Sequence, residues 1–238
     1  MMRFMQDGCQ SRESELEQIQ ASILKMGGLV EAAIYDGLQC LVTRDLEAAA
    51  VVREGDRAID ALGRHIQCDL PRIVRLCAPC EGDLRLVLAV LRISTSLERI
   101  GDYAKNMAKR TSMLAELSPI EGSDAALRRM AREVQNMLRD TLDAFVTHDD
   151  GLAQEVLLRD RDVDQMYNAL FREFLTHMME DPRAITACLH LHFIAKNIER
   201  MGDLVTDMAE QVIYLVTGQM PDEDRPKGDT TAYLSKLE

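Results

Sequence analysis

The sequence contains the same plan twice, and this internal repeat limits its possible folds more than any other feature. Residues 96–106 read SLERIGDYAKN and residues 197–207 read NIERMGDLVTD, a separation of 101 residues. Upstream, residues 56–60 (DRAID) resemble residues 160–164 (DRDVD) at a separation of 104 residues. Two matches at nearly one spacing predict two copies of one supersecondary unit that differ slightly in loop length.

Composition favours helices in both copies. Aromatic residues make up only 4% of the 238 residues, Trp is absent and Pro occurs six times. Strands prefer β-branched and aromatic side chains, whereas Ala, Leu, Met, Glu and Arg cost helices little. Short loops between long amphipathic helices favour antiparallel packing. The sequence therefore predicts an all-α protein of six long helices, arranged as two pseudo-symmetric antiparallel three-helix bundles.

Helix-breaking residues divide each copy into three helices. The first repeat covers residues 13–118, with its first helix beginning near Glu13. Asp45 is the predicted cap of the second helix, which continues to about Leu76 in the prediction, although Pro71 is expected to kink it or end it early. The second repeat covers residues 123–218, where Asp and Pro at positions 181 and 182 open the third helix.

Two segments lie outside these helices in the prediction. Cys77 and Cys80 form a CxxC pair, but the second repeat has no counterpart and no second pair follows. A loop with two free thiols therefore fits better than a redox or metal pair. Residues 219–238 are rich in charge and contain two prolines, which predicts a flexible acidic tail.

Charge and hydropathy restrict the location and the partners of the chain. The formal net charge is −12 at pH 7 and no run of Lys and Arg occurs, which argues against direct nucleic-acid binding. The longest apolar run, residues 86–91, is far shorter than the ~20 residues that span a bilayer. The first ten residues lack the apolar core of a signal peptide. We therefore expect a cytoplasmic protein with reduced thiols.

Acidic side chains recur four residues apart in both repeats. Glu98 and Asp102 share one face of a helix for this reason, and the apolar run at 86–91 indicates that this helix is partly buried. Like charges at this spacing destabilise an isolated helix by about 0.2–0.5 kcal/mol per pair. If the acids face a partner helix, a cation or basic side chains must neutralise them. The other pairs are Asp56/Asp60, Asp160/Asp164 and Glu199/Asp203.

Two interpretations of these acids stay open at this point. Surface helices often carry such pairs, which would here be neutralised by Arg57, Arg99 or Arg200. Four pairs in register across a duplication instead favour metal sites, and oxygen-only ligands point to hard cations such as Mg²⁺, Mn²⁺ or iron. The predicted metal ligands are Asp56, Asp60, Glu98, Asp102, Asp160, Asp164, Glu199 and Asp203.

Two further residue types lie beside the acids. Gly101 and Gly202 each precede the second acid of a motif, where a close helix approach, a bound ligand or a packing notch would explain a glycine. His192 lies two turns before Glu199, and its counterpart in the first repeat is Leu91. A core or surface histidine is the favoured interpretation over a ligand.

The motifs resemble the repeated signature of the PhoU family. The resemblance rests on LERIGD at residues 97–102 and IERMGD at residues 198–203, and it extends over nearly the whole chain. It implies two three-helix bundles whose E/D-x-x-x-D motifs bind divalent or trivalent metal ions, as clusters or separately. It places those motifs on the same eight acids, with Asn106 and Asp207 as weaker candidates.

The resemblance also implies a non-catalytic regulator of phosphate homeostasis. Such proteins negatively regulate the phosphate-starvation response and phosphate uptake when phosphate is plentiful. They link the ATPase subunit of the phosphate ABC transporter to the sensor histidine kinase of a two-component system. We therefore expect peripheral membrane association through these partners, and a homodimer.

Two alternatives compete with this function. The first is a carboxylate-bridged metalloenzyme, but bundles with di-iron sites typically use Glu-x-x-His on two helices, and neither motif here contains His. No nucleophile–base pair stands out either, so no catalytic residue is predicted. The second is a helical adaptor of the same fold that regulates a different kinase or transporter.

Overall fold

The computed structural model describes residues 2–77 and 81–221, with the side chains of all of these except residues 2–13, 76, 77, 81 and 83. Within the described residues the chain is all-α, as the sequence predicted, and has no strand. The helices are α1 (Met2–Thr43), α2 (Leu46–Cys77), α3 (Glu81–Ala115), α4 (Ser123–Thr147), α5 (Asp150–Glu180) and α6 (Ile185–Thr217).

The helices form two three-helix bundles that share one core. Helices α1, α2 and α3 pack against one another, as do α4, α5 and α6. In addition, α3 packs along α6 and α1 along α4. Most buried apolar side chains of both bundles form one continuous cluster, and a small separate cluster contains Cys40, Ala49, Val52 and Ala108. Arg85 near the start of α3 lies against Gly218 at the end of α6, so these two helices are antiparallel.

Side-chain caps begin two helices at the positions that local chemistry favours. The Asp45 carboxylate accepts the backbone N–H groups of Glu47 at 3.0 Å and Ala48 at 2.9 Å, which confirms the predicted cap of α2. Asp149 accepts the N–H of Leu152 at 2.9 Å and begins α5 in the same way. Within the described residues, no helix has the length and hydropathy needed to span a membrane.

The expected early end of the second helix at Pro71 is wrong. Helix α2 continues through Pro71 to Cys77. Leu70 and Ile73, on either side of the proline, are only 6% and 1% exposed. Their packing in the core offsets the hydrogen bond that proline cannot donate.

Four other segments differ from their predicted bounds or lie partly outside the described residues. Helix α1 begins at Met2 rather than near Glu13. A 3₁₀ turn at Pro182–Ala184 precedes α6, because the Asp181 carboxylate accepts the N–H of Arg183 at 3.0 Å. Cys77 is the last residue of α2 and not part of the predicted loop, whereas Cys80 and most of the predicted tail lie outside the described residues.

Candidate functional site

The acidic pairs of the first repeat meet where α2 packs on α3. Asp56 is buried with 3% exposed, Asp60 and Glu98 are half-buried, and Asp102 is exposed. Burial raises the pKa of Glu98 above its ordinary value, and the charges of Asp60 and Asp102 raise it further. Arg64 acts in the opposite direction. The structure therefore brings the four predicted residues of this repeat into one electrostatic neighbourhood.

A lysine on α3 neutralises the buried acid of this repeat. The Lys105 ammonium forms an ion pair with Asp56 Oδ2 and a second with Asp102 Oδ1 at 3.2 Å. The hydrogen bond to Asp56 raises the pKa of Lys105, which keeps the amine protonated. Asp56 Oδ1 has no hydrogen-bond partner within the part of the chain that the structure describes.

The second repeat buries its glutamate more deeply. Glu199 on α6 is 5% exposed and Asp164 on α5 is 6% exposed, whereas Asp160 is half-buried and Asp203 is exposed. Lys196 donates a hydrogen bond to Glu199 Oε1 at 2.6 Å. Burial raises the pKa of Glu199, and Lys196 partly opposes that shift.

The two glycines of the motifs mark equivalent close contacts in the two repeats. A Cβ atom on Gly101 would lie 3.0 Å from Ile59 Cδ1, and one on Gly202 would lie 3.4 Å from Val163 Cγ1. Ile59 and Val163 are themselves 104 residues apart, so the packing of α2 on α3 and of α5 on α6 follows the register of the sequence repeat. Of the explanations open for these glycines, the close helix approach is the one that the contacts support.

These contacts predict different effects for the same substitution in the two repeats. Gly202→Ala is expected to stabilise the protein by up to about 1 kcal/mol, because alanine loses less backbone entropy in a helix and its Cβ fits at an ordinary distance. Gly101→Ala should gain less, because Ile59 must move to admit the new atom. Urea unfolding of both variants measures the difference, and an equal gain would contradict this packing.

The lysines do not follow the repeat, although the acids do. At a separation of 101 residues, Lys105 corresponds to the buried Thr206, and Lys196 corresponds to the exposed Thr95. Each repeat thus places its lysine at a different position on the helix. The cations bound to Asp56 and Glu199 are lysines rather than the arginines that the sequence offered. Only their i,i+3 spacing to Asp102 and Glu199 could have indicated them.

One position on the preceding helix accounts for the different exposure of the two glutamates. Gly63 on α2 and Tyr167 on α5 are equivalent at the 104-residue spacing. A Cβ on Gly63 would lie 3.1 Å from Glu98 Oε2, so the glycine leaves that carboxylate uncovered. Tyr167 is 3% exposed and its ring centroid lies 4.8 Å from Lys196 Nζ, above the pair with Glu199. The carboxylate of Glu98 is therefore more accessible to solvent than that of Glu199.

His192 packs among aromatic rings beside the second site. Its ring centroid lies 5.9 Å from that of Tyr167, 5.2 Å from that of Phe171 and 5.9 Å from that of Phe193. Burial, followed by the charge of Lys196, lowers the pKa of His192 and favours the neutral ring. This environment agrees with the core or surface histidine that the sequence predicted.

The acids of each repeat could bind a metal ion only with a small number of carboxylate ligands. Oxygen donors suit hard cations, and the buried Asp56 Oδ1 and Glu199 Oε2 have no hydrogen-bond partner among the described residues. Among the described side chains, however, no three or more His, Cys, Asp or Glu groups come close enough to hold a metal ion. The residues thus fit an ion held by one or two carboxylates and completed by water or another molecule, as Mg²⁺ commonly is.

The duplicated three-helix plan recurs in known proteins. The PhoU domain family matches the chain twice, at residues 23–111 and at residues 127–212. The chain belongs to the PhoU family. A protein of Caulobacter vibrioides named phosphate-specific transport system accessory protein PhoU homolog is 43% identical over 215 residues, covering 90% of this chain and 94% of that protein.

Other PhoU proteins extend the likeness to solved structures. A Zymomonas mobilis protein of the same name is 44% identical over 216 residues, covering 90% of this chain and 91% of that protein. The crystal structure of PhoU from Pseudomonas aeruginosa has a TM-score of 0.82 at 38% identity and covers 87% of this chain and 99% of that one. The phosphate transport system regulatory protein PhoU from Streptococcus pneumoniae also has a TM-score of 0.82, at 30% identity, over 89% of this chain and 99% of that one.

Proposed function

We propose that this chain is a non-catalytic regulator of phosphate transport. The observation that carries the proposal is its identity of 43% and 44%, over 90% of the chain, to proteins named as phosphate-specific transport system accessory proteins. The Streptococcus pneumoniae structure of the same fold is described as a regulatory protein of that system. A regulator of this kind acts by binding its partners.

The finer mechanism that we propose is a link between transport and signalling. The chain binds the ATPase subunit of the phosphate ABC transporter and the phosphate sensor histidine kinase, and it restrains the starvation response when phosphate is plentiful. It acts in the cytoplasm as a homodimer and reaches the membrane through these partners. The PhoU signature in both repeats supports this mechanism.

We also propose that each repeat binds a divalent or trivalent metal ion, Fe, Mn or Mg, at its acids. Asp56 and Glu199 each have an oxygen without a hydrogen-bond partner among the described residues, which supports this proposal, as does the mutual influence of the acids around Glu98. A bound cation would neutralise charge that Lys105 and Lys196 now balance, and it would hold the second helix of each repeat to the third. One or two acids of each repeat would hold the ion, and the candidates are Asp56, Asp60, Glu98 and Asp102 in the first repeat and Asp160, Asp164, Glu199 and Asp203 in the second.

Deletion of the gene tests the regulatory function. In phosphate-rich medium, a strain without this chain should show raised phosphate uptake and raised starvation-gene expression, measured with labelled phosphate and an alkaline phosphatase reporter. The wild-type chain supplied from a plasmid should restore both. Unchanged uptake and expression in the deletion strain would contradict the proposal.

A pull-down from phosphate-replete cells tests the partners separately. We expect the tagged chain to recover the transporter ATPase and the phosphate sensor kinase. Recovery of an unrelated membrane kinase without components of phosphate transport would identify an adaptor of the same fold with another target.

A further inference from the structure

A groove of about 710 Å³ opens beside the acids of the first repeat, between α2 and α3. A groove of this size exceeds what a single orthophosphate fills and lies within the range of small-molecule sites. Its walls carry charges of both signs. The basic residues are Arg53, Arg57, Lys105 and Lys109, and the acidic residues are Glu54, Asp56 and Asp60.

Three of the four basic side chains make no ion pair within the part of the chain that the structure describes. Arg53 and Arg57 lie one turn apart on α2, are exposed, and form no ion pair or hydrogen bond with the part of the chain that is described. Lys109 on α3 is also exposed, and among the described residues it donates only to Asn106 Oδ1, at 3.3 Å. Guanidinium and ammonium groups that converge on one groove suit the oxygens of a phosphate group.

The second repeat shows that the bundle does not require this basic wall. At the repeat spacings, Arg53 corresponds to Leu157 and Lys109 corresponds to Glu210. Arg57 alone keeps its charge, as Arg161. The second repeat therefore builds the same helix pair without a cluster of cations, so the cluster is a property of the first groove and not of the fold.

The acids of the groove argue against a bare anion. Glu54 and Asp60 would repel it, and the buried Asp56 keeps an oxygen without a hydrogen-bond partner among the described residues. A ligand that brings its own divalent cation suits both walls, because carboxylates bind the cation and basic groups bind the phosphate oxygens. Mg²⁺ is typically held in this way, by one or two carboxylates and the phosphates of its ligand.

We propose that the groove of the first repeat binds the magnesium complex of an oligophosphate, with Asp56 and Asp60 towards the cation and Arg53, Arg57 and Lys109 towards the phosphates. The inference rests on the proposed metal site of this repeat, and the phosphates would supply the additional metal ligands that the described side chains do not provide. Inorganic tripolyphosphate and a nucleoside triphosphate share the required chemistry.

Isothermal titration of the full chain with tripolyphosphate and MgCl₂ tests this proposal. We expect saturable binding at one site per chain, and binding at least about tenfold weaker in EDTA. Orthophosphate with MgCl₂ should bind more weakly still. A parallel titration with MgATP distinguishes the two ligands. An affinity equal to that of magnesium tripolyphosphate means that the groove binds only the phosphates, and a higher affinity means that the nucleoside adds contacts.

A matched pair of variants locates the site. Arg57→Gln should weaken binding of magnesium tripolyphosphate by about tenfold, because a charge-assisted hydrogen bond is lost. Arg161→Gln, the same change at the equivalent exposed position of the second repeat, should leave the affinity unchanged. Asp60→Asn should weaken binding only when magnesium is present. Circular dichroism and thermal unfolding confirm that each variant is folded.

Three results would overturn the proposal: no binding, equal binding in EDTA, or equal losses in Arg57→Gln and Arg161→Gln. Each of them would leave the regulatory function intact, because deletion of the gene tests that function without reference to this groove. Conversely, unchanged phosphate uptake in the deletion strain would leave the titration result standing.

Discussion

Replacing Lys196 with methionine is expected to lower the free energy of unfolding at pH 7 by about 3 kcal/mol. Lys196 donates at 2.6 Å to Glu199, which is only 5% exposed, so the substitution leaves a buried carboxylate without its cation. We expect the lower end of the range for broken buried pairs because the lysine side chain is itself 27% exposed. Methionine keeps the apolar stem, so packing changes little.

The pH dependence separates this electrostatic effect from a packing defect. Burial raises the pKa of Glu199 above the ordinary 4.5, and Lys196 lowers it in part. Near pH 4.5 and below, the folded protein holds Glu199 protonated, so the missing lysine costs little. As pH rises through the raised folded pKa, the carboxylate ionises and the deficit of the variant grows.

Urea unfolding of the wild type and Lys196→Met across this pH range is the measurement. Lys196→Met/Glu199→Gln is the control, because it removes the charge together with its partner and should recover most of the lost stability at pH 7. An equal deficit at acidic and neutral pH would show that the lysine acts through packing alone.

Lys105→Met should destabilise the metal-free protein by a similar amount, about 3 kcal/mol, and metal should reverse the loss. Asp56 is 3% exposed and loses its cation in this variant. A divalent ion can then take the place of the ammonium group, and saturation at a hundred times its Kd would return about 2.7 kcal/mol. In the wild type the gain should be smaller, because the ion must compete with Lys105.

Thermal unfolding in EDTA and in excess Mg²⁺ or Mn²⁺ measures this rescue. Lys109→Met is the matched control on α3, because Lys109 is exposed and its one hydrogen bond within residues 2–77 and 81–221 is to Asn106 at 3.3 Å. It should change neither the stability nor the response to metal. A Lys105→Met protein that stays equally unstable with and without metal would remove the support for a cation at Asp56.

Local signals in the sequence predicted most of the fold. The N-cap at Asp45 and the helix-breaking residues between helices act over a few residues. They can therefore be identified without knowledge of the tertiary contacts. Pro71 shows where a local rule fails, because the burial of Leu70 and Ile73 outweighs the preference of proline to end a helix.

Only those residues of the site that recur in both repeats could be predicted from the sequence. The acids recur at matching positions, so comparison of the two copies reveals them. Lys105 and Lys196 do not occupy equivalent positions in the two repeats, so the same comparison does not identify them. The different exposure of the two glutamates depends on Gly63 and Tyr167. Each of these residues lies on the neighbouring helix, so the effect comes from a tertiary contact that a local sequence pattern does not reveal.

The metal content of natively purified protein shows whether the repeated acids bind ions. Inductively coupled plasma mass spectrometry should find Fe, Mn or Mg in near-stoichiometric amounts in the wild type and little in Glu98→Gln/Glu199→Gln. Glutamine keeps the size of each side chain and removes its charge, so a loss would place the ions on the repeated motifs. A wild type that stays empty after incubation with these ions, or a variant that keeps the full amount, would contradict the account.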